Sequence, residues 1–320
     1  MSQNLSTLHK IIVILGPTAS GKSALAIKLA LRLSSGQAKK LYGINGAEII
    51  SADSRQIYRE MNIGTAKPTK AELKSIPHHL INIKNPNQLY TVSQYKHDCL
   101  KIIKKILRKN KLPILVGGTG LYIKAVVDNL EIPKAKPNPR LRQKLEKELK
   151  EKGLNFLYQK LIKLDPEAVY IIDRHNPRRV IRALEITLQT KKPFSSQRKQ
   201  GKKMFNTLKI GINIAPKKLK ERVEKRIDQM INDGLIREVK NLIKRYPSEL
   251  PVFNAIGYRE IIGYIQRKIS LEEALNQIKK NTWRYVKRQM TWFKKDKEII
   301  WVANQKEAQN IANKFLISWP

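Results

Sequence analysis

Cysteine is almost missing from this chain: among 320 residues there is only Cys99. That excludes an intramolecular disulfide and any cysteine-rich metal centre. Cys99 falls in the helical pattern Val92, Tyr95, Cys99, Ile102, Ile103, Ile106, and reads as a small core residue. Long apolar runs are missing too, so no membrane span is expected. Neither a long apolar segment nor a small-residue cleavage site marks the N-terminus, so no signal peptide is read and a soluble, cytoplasmic protein is expected. Acidic side chains are scarce, 26 against 64 Lys and Arg, for a net charge of +38. Such an excess attracts polyanions, nucleic acid first, although a lysine-rich composition gives the same balance without that partner. Internal repeats are absent as well.

What is present is a core's worth of apolar residues, 41%, and one complete motif. The apolar run Ile11 to Leu15 leads into Gly16, Pro17, Thr18, Ala19, Ser20, Gly21, Lys22 and Ser23. This is the pattern G-x-x-x-x-G-K-[ST], in which glycines let the backbone curl around phosphate oxygens. The following segment, Ala24 to Ala30, reads as a helix whose N-terminus points back at the loop. Backbone N–H groups, the helix dipole and Lys22 supply positive potential, and the Ser23 hydroxyl suits a Mg²⁺ ion. Strand before and helix after favour a phosphate site over a plain glycine turn, so a phosphorylated small molecule is expected.

The first third alternates strands (near 10–15, 47–51, 79–83 and 112–116) with helices (near 22–34, 69–75, 91–109 and 119–128). That order predicts an α/β fold, a P-loop NTPase-like parallel sheet core. Residues 131–139, rich in proline, break the pattern. Only helices follow up to about 190, among them Leu141 to Glu151 and Arg178 to Leu188. The stretch Lys191 to Lys203, with six basic residues and no acid, reads as an exposed loop. Apolar alternation returns at Leu208 to Ile214, where the chain rejoins the sheet, and a last apolar run lies at Ile299 to Val302. We therefore expect a core from 1–130 and 204–320 with C-terminal helices, and an inserted helical domain over 131–203.

Hydrolases with this loop usually place a magnesium-binding Asp after a later strand. Here Ile114-Leu115-Val116 runs into Gly117-Gly118-Thr119-Gly120 with no carboxylate. The one Asp ending a strand is Asp53, which right-handed crossover geometry brings to the same sheet edge as the loop. It suits a magnesium ligand, a general base or a helix cap. The loop without a second carboxylate favours group transfer from a phosphorylated donor over hydrolysis. Gly117 to Gly120 fits either close approach to a ligand or a simple turn. His78 and His79, adjacent on a strand, point to opposite faces and favour packing and hydrogen bonding over metal binding. Arg284, Lys287, Arg288, Thr291 and Lys295 share one helix face, interleaved with Trp283, Trp292 and Phe293, a combination able to grip phosphates and stack an unpaired base. A solvated basic helix with its aromatics inward fits as well. Arg178, Arg179 and Arg182 form a similar cluster.

Read in order, these landmarks resemble a known family. They are Gly16 to Ser23, Ser51-Ala-Asp-Ser-Arg-Gln-Ile-Tyr58, Asn62-Ile-Gly-Thr-Ala-Lys-Pro68 and Pro77-His-His-Leu80. Gly117-Gly-Thr-Gly-Leu-Tyr122, Asn176-Pro-Arg-Arg-Val-Ile-Arg-Ala-Leu-Glu185, Asn254-Ala-Ile-Gly-Tyr-Arg259 and Lys287-Arg-Gln-Met-Thr-Trp292 complete the set. The chain closely resembles bacterial tRNA dimethylallyltransferases over residues 10–303. The resemblance implies dimethylallyl diphosphate as donor, the N6 amine of the adenine beside the anticodon as acceptor, and pyrophosphate as product. It further implies Asp53 as general base and Thr119 at the acceptor. The phosphate loop and Arg259 would serve the diphosphate, with Mg²⁺ at Ser23. Contacts to the tRNA anticodon stem-loop would come from Asp53, Ser54, Arg55, Gln56, Thr119, Arg142, Arg178, Arg179, Arg182, Asn254, Lys287, Arg288, Gln289 and Trp292. The target base would be flipped from its stack. A monomer is expected. Ser35 to Gly46 is longer than the family's usual connection and is expected to be a surface loop. The chain also lacks the zinc finger of eukaryotic relatives, which points to the bacterial type. A prenyltransferase acting on free adenine nucleotide, a small-molecule kinase and a non-catalytic RNA-binding module are the competing readings.

Overall fold

β1 (Lys10–Leu15) is buried along its whole length, as expected of a parallel strand covered on both faces. The computed structural model describes residues 8–133, 135, 138–197 and 199–317. After β1 come α1 (Lys22–Leu33), α2 (Gly36–Tyr42), β2 (Ala47–Ser51), α3 (Lys70–Ser75), β3 (His78–His79), α4 (Val92–Leu107), β4 (Leu112–Gly117) and α5 (Gly120–Val127). Two helices follow, α6 (Pro139–Leu164) and α7 (Pro177–Thr190). The chain then continues through β5 (Asn206–Ile212), α8 (Pro216–Asn232), α9 (Leu235–Arg245), α10 (Tyr258–Ile265), α11 (Leu271–Phe293), β6 (Ile299–Val302) and α12 (Gln305–Leu316).

The six strands form one parallel sheet in the order β3-β2-β4-β1-β5-β6. Because side chains alternate along a strand, β1 feeds two cores. Ile12 and Ile14 pack with Leu29 and Leu33 of α1 and Ala308 and Ala312 of α12. Ile11, Val13 and Leu15 join Tyr95, Cys99 and Ile103 of α4 and Tyr122 and Val126 of α5. A third core, built on Ile57 and Met61, gathers the apolar faces of α8, α9, α10 and α11.

Two expectations change here. The strand expected over 79–83 is only His78–His79, because Leu80 and Asn82 adopt positive φ (60° and 58°) and leave the ladder. The segment expected as a surface loop at 35–46 contains α2, which buries Ala38 and ends at the left-handed Gly43.

The chain divides into two compact units, one up to Val127 and from Met204 onward, the other Asp128–Lys203. The second unit is helical, with Leu145, Leu157, Leu161, Val180 and Leu184 at its centre. Its two helices start alike: Asn138 and Asn176 accept the N–H of Leu141 and Arg179, and proline takes the first helical position. α6 is longer than the sequence pattern indicates and breaks at Gly153, whose φ is 79°. Lys134, Lys136 and Pro137 of the proline-rich break, and Arg198 of the basic stretch, lie outside the described residues.

Candidate active site

Three strands deliver the site. β4 lies between β1 and β2, so the turn after β4 sits between the phosphate loop after β1 and the Asp53 turn after β2. The order changes direction at β1, and ligands of open parallel sheets bind at such an edge. In the phosphate loop Gly21 is left-handed (φ 90°) and opens α1 without a side-chain cap, so the first N–H groups of the helix are left for an anion. The Lys22 ammonium donates to the Pro17 carbonyl at 3.2 Å.

Close packing welds the other two turns together. A Cβ on Gly117 would stand 2.2 Å from the Ala52 carbonyl oxygen, so β2 and β4 can run on side by side only with glycine there. The Thr119 N–H donates to Ala52 O (3.2 Å), and the Thr119 hydroxyl accepts from the Ser54 N–H (3.1 Å). Asp53 Oδ1 accepts from the Arg55 N–H at 2.8 Å. Asp53 therefore holds a turn, not a helix N-terminus, and its second oxygen is left for other chemistry.

A cavity of about 350 Å³ opens onto these turns. The phosphate loop and the Asp53 turn line it with Thr18, Ala19, Lys22, Ser23, Asp53, Ser54, Arg55 and Gln56, and Arg288 and Asn254 add further polar groups to the lining. Val223, Ile227, Met230, Ile256 and Ile278 make an apolar wall. Two titratable lining residues escape the sequence reading. Arg226 lies on the buried face of α8 between Val223 and Ile227, and burial pushes its guanidinium pKa down while Asp53 pulls it up. A cation on the apolar stripe of an amphipathic helix is the signal that could have found it. Burial and the Arg226 charge push the Lys22 ammonium down to about 8, against the pull of Asp53. The second is Tyr285, whose phenol burial and the Asp53 charge raise to about 12, so it stays neutral. Behind the wall, Glu238 accepts the N–H groups of Asn62 (2.9 Å), Ile63 (2.8 Å) and Gly64 (3.2 Å) and the Tyr258 hydroxyl (2.7 Å), which fixes the 62–66 loop. Gln56 braces the same loop through the carbonyls of Thr65 and Ala66.

Not every residue singled out from the sequence lines this cavity. Arg259 does not line the cavity; its guanidinium pairs at 2.7 Å with Glu260, a buried carboxylate that also caps α10. Gln289 does line the cavity, but it is buried (5% exposed) and not on the basic surface of α11. Arg284, Lys287, Arg288, Thr291 and Lys295 do share the exposed face, while Phe293 is buried. Trp292 leans on Gly120, where a Cβ would meet its indole nitrogen at 2.2 Å. In the inserted unit, Arg142 and Arg182 both pair with Glu185, which is fully buried. A carboxylate without water needs such partners, so the first work of both arginines is structural. Arg178 and Arg179 are exposed. His79 donates from Nε2 to the buried Glu48 carboxylate at 2.8 Å, in keeping with packing and hydrogen bonding. Among the described residues no group of three His, Cys, Asp or Glu could hold a metal ion, and no helix is long and apolar enough to cross a membrane.

Over residues 56–296 the chain matches the family described as IPP transferase. It is 44% identical over 303 residues to a tRNA dimethylallyltransferase of Carboxydothermus hydrogenoformans, with 94% of each chain covered. To that of Pelotomaculum thermopropionicum it is 45% identical over 295 residues, covering 91% of this chain and 90% of the relative. The crystal structure of a tRNA isopentenylpyrophosphate transferase from Bacillus halodurans superposes with a TM-score of 0.69 at 36% identity, over 96% and 95% of the two chains. A eukaryotic dimethylallyltransferase solved acting on tRNA gives a TM-score of 0.77 at 28% identity, covering 98% of this chain and 80% of that one.

Proposed function

The chain belongs to the IPP transferase family, and from that premise we propose how its cavity performs the family's reaction on tRNA. The protein is a tRNA dimethylallyltransferase in activity: it moves a dimethylallyl group from dimethylallyl diphosphate to the N6 amine of the adenine beside the anticodon, releasing pyrophosphate. The observation that carries the assignment of roles is the convergence of the phosphate loop and Asp53 on one cavity that also has an apolar wall, with Thr119 holding the Asp53 turn through the Ser54 N–H.

The diphosphate sits at the N-terminus of α1, against Lys22 and the loop N–H groups, with Arg226 as the second cation. The five-carbon chain lies against Val223, Ile227 and Ile278. The adenine N6 attacks C1 of the dimethylallyl group, the C1–O bond breaks, and its electron pair leaves on the diphosphate, where Lys22 and Arg226 offset the growing charge. An exocyclic amine is a weak nucleophile but becomes acidic as its nitrogen bonds to carbon, and the proton passes to the free oxygen of Asp53. Thr119, which does not line the cavity, serves the acceptor by fixing the Asp53 turn through Ser54. Among the described residues no cluster of protein ligands prepares a resident metal site, and the donor set fits Mg²⁺ arriving with the diphosphate. The Ser23 hydroxyl would hold it, and the ion would supply charge neutralisation of the leaving group. Exposed Arg178 and Arg179 of the inserted unit, and Lys287 and Arg288 of α11, are assigned to the phosphates of the anticodon stem-loop.

The test is transfer from labelled dimethylallyl diphosphate with an anticodon stem-loop or free AMP as acceptor. Label on the stem-loop adenine is expected; label on AMP alone would make this a nucleotide prenyltransferase.

A further inference from the structure

Gln289 hydrogen-bonds at once to the phosphate loop and to the turn between that loop and Asp53. Its Oε1 accepts from the Thr18 N–H at 2.9 Å, and its Nε2 donates to the Gly118 carbonyl at 2.8 Å. Only one orientation of the amide satisfies both partners, since one is a donor and the other an acceptor. The fit is close as well: a Cβ on Gly118 would stand 2.3 Å from the Gln289 nitrogen. The chain of contacts then continues without a gap. Gly118 leads to Thr119, whose N–H and hydroxyl bind Ala52 O and the Ser54 N–H, and that turn carries Asp53.

We propose that Gln289 is a positioning residue for the transfer, a strut that fixes the phosphate loop at a set spacing from the acceptor turn. This rests on the prenyl-transfer reading above. Two physical arguments carry it. The transfer requires the diphosphate carbon and the amine to meet at a near-attack separation, and small errors in such spacing are costly. The phosphate loop and the Asp53 turn follow different strands, each paired to β4 only as far as Leu15–Gly117 and Ser51–Val116, so beyond those rungs the spacing of the turns depends on side-chain contacts. Gln289 makes the first of the two links, from the phosphate loop to the β4 turn, with both ends of its amide engaged and almost no solvent contact. Thr119 makes the second, from the β4 turn to that of Asp53. Its charge-bearing neighbours on α11, Lys287 and Arg288, are exposed, so one helix presents cations outward and braces the reacting groups inward. In this role Gln289 acts through the backbone that it braces and requires no contact with tRNA.

The experiment compares wild type with Gln289→Leu and Gln289→Glu. It reads steady-state kinetics in dimethylallyl diphosphate, direct binding of inorganic pyrophosphate, and affinity for an anticodon stem-loop. Gln289→Leu keeps the volume and loses both bonds; it is expected to lower kcat/KM for the donor by about 10- to 100-fold and to weaken pyrophosphate binding, with stem-loop affinity within about 3-fold. Gln289→Glu keeps the acceptor for Thr18 but sets a carboxylate against the Gly118 carbonyl. Its activity relative to wild type should recover as pH falls and the carboxyl gains a proton able to donate. Loss of stem-loop affinity with unchanged donor kinetics would overturn the proposal and make Gln289 a tRNA contact. Unchanged values in all three measurements, or a Gln289→Glu deficit flat with pH, would overturn it too. A wild type inert toward dimethylallyl diphosphate would defeat the reaction assigned above and not the strut, which the pyrophosphate binding reads on its own.

Discussion

Asp53 and Lys22 act at different moments, so their substitutions should separate in the kinetics. Asp53→Ala is expected to lower single-turnover transfer by about 10²- to 10⁴-fold, the usual worth of a positioned acid or base. Its affinity for the stem-loop should stay within a few-fold; a large loss of binding would instead make Asp53 a recognition residue. Lys22 sits in the free enzyme at about 8, lowered from 10.5. Its charge is present below that pH and lost above it, so kcat/KM for dimethylallyl diphosphate should fall as pH rises through about 8, since that ratio reports the free enzyme. Lys22→Arg, whose charge does not titrate there, should lose this alkaline limb, and persistence of the limb would assign it to another group. The phosphate loop was legible because its chemistry is local, eight consecutive residues between a strand and a helix. Arg226 was not, because only the fold brings α8 over the loop. The pairing of Arg142 with Glu185 was hidden for the same reason: helical spacing gives a shared face but not the partner 43 residues away that engages it.

At the level of elements, the buried strands announced themselves as apolar runs, and β1, β2 and β4 stand where those runs are. β3 shortened because two positive φ angles end its ladder, a property that side-chain pattern does not encode. Its edge is held in part by Glu48 of β2, which is 1% exposed and meets His79 at 2.8 Å, Lys111 at 3.0 Å and Lys109 at 3.2 Å. Burial alone would raise this carboxyl, but its three partners overcome that and hold it at about 2, below its ordinary 4.5. A depressed carboxyl stabilises the fold fully above about 4.5, and the contribution drains away as pH falls toward 2. The difference corresponds to roughly 3 kcal/mol at most, because the half-exposed Lys109 is screened by solvent. Glu48→Gln should therefore lower Tm at neutral pH and flatten the loss of Tm between about pH 5 and pH 2 relative to wild type. Parallel curves for the two proteins would mean that Glu48 does not set the acid sensitivity.

For the whole molecule the dominant quantity is charge. A net +38 says that a polyanion is welcome but not where it binds. The structure narrows this, since Arg142, Arg182 and Arg259 are engaged by buried carboxylates while Arg178, Arg179, Lys287 and Arg288 are exposed. If about five cations contact phosphates, the logarithm of stem-loop affinity should fall with the logarithm of salt at a slope of about −4. Arg288→Ala should reduce that slope by about 1 and weaken binding more than the chemical step. An unchanged slope would return α11 to a solvated basic face. The two-part organisation was legible from the change of pattern near 131 and its reversal near 204. What the pattern could not supply was the register, in which Lys10 of β1 lies against Asn206 of β5.

That register has a consequence for how the protein is made. The strand that delivers the phosphate loop is flanked on one side by a partner nearly two hundred residues later in the chain. At ribosomal rates of about 5–20 residues per second, β1 leaves the exit tunnel on the order of 10–40 s before β5 exists to cover it. In that interval the helical segment from Asp128 to Lys203 emerges complete, with a core of its own to bury. The nascent chain thus finishes its appendage before its catalytic edge, and the sheet gains its last pairings only after the phosphate loop has waited through most of synthesis.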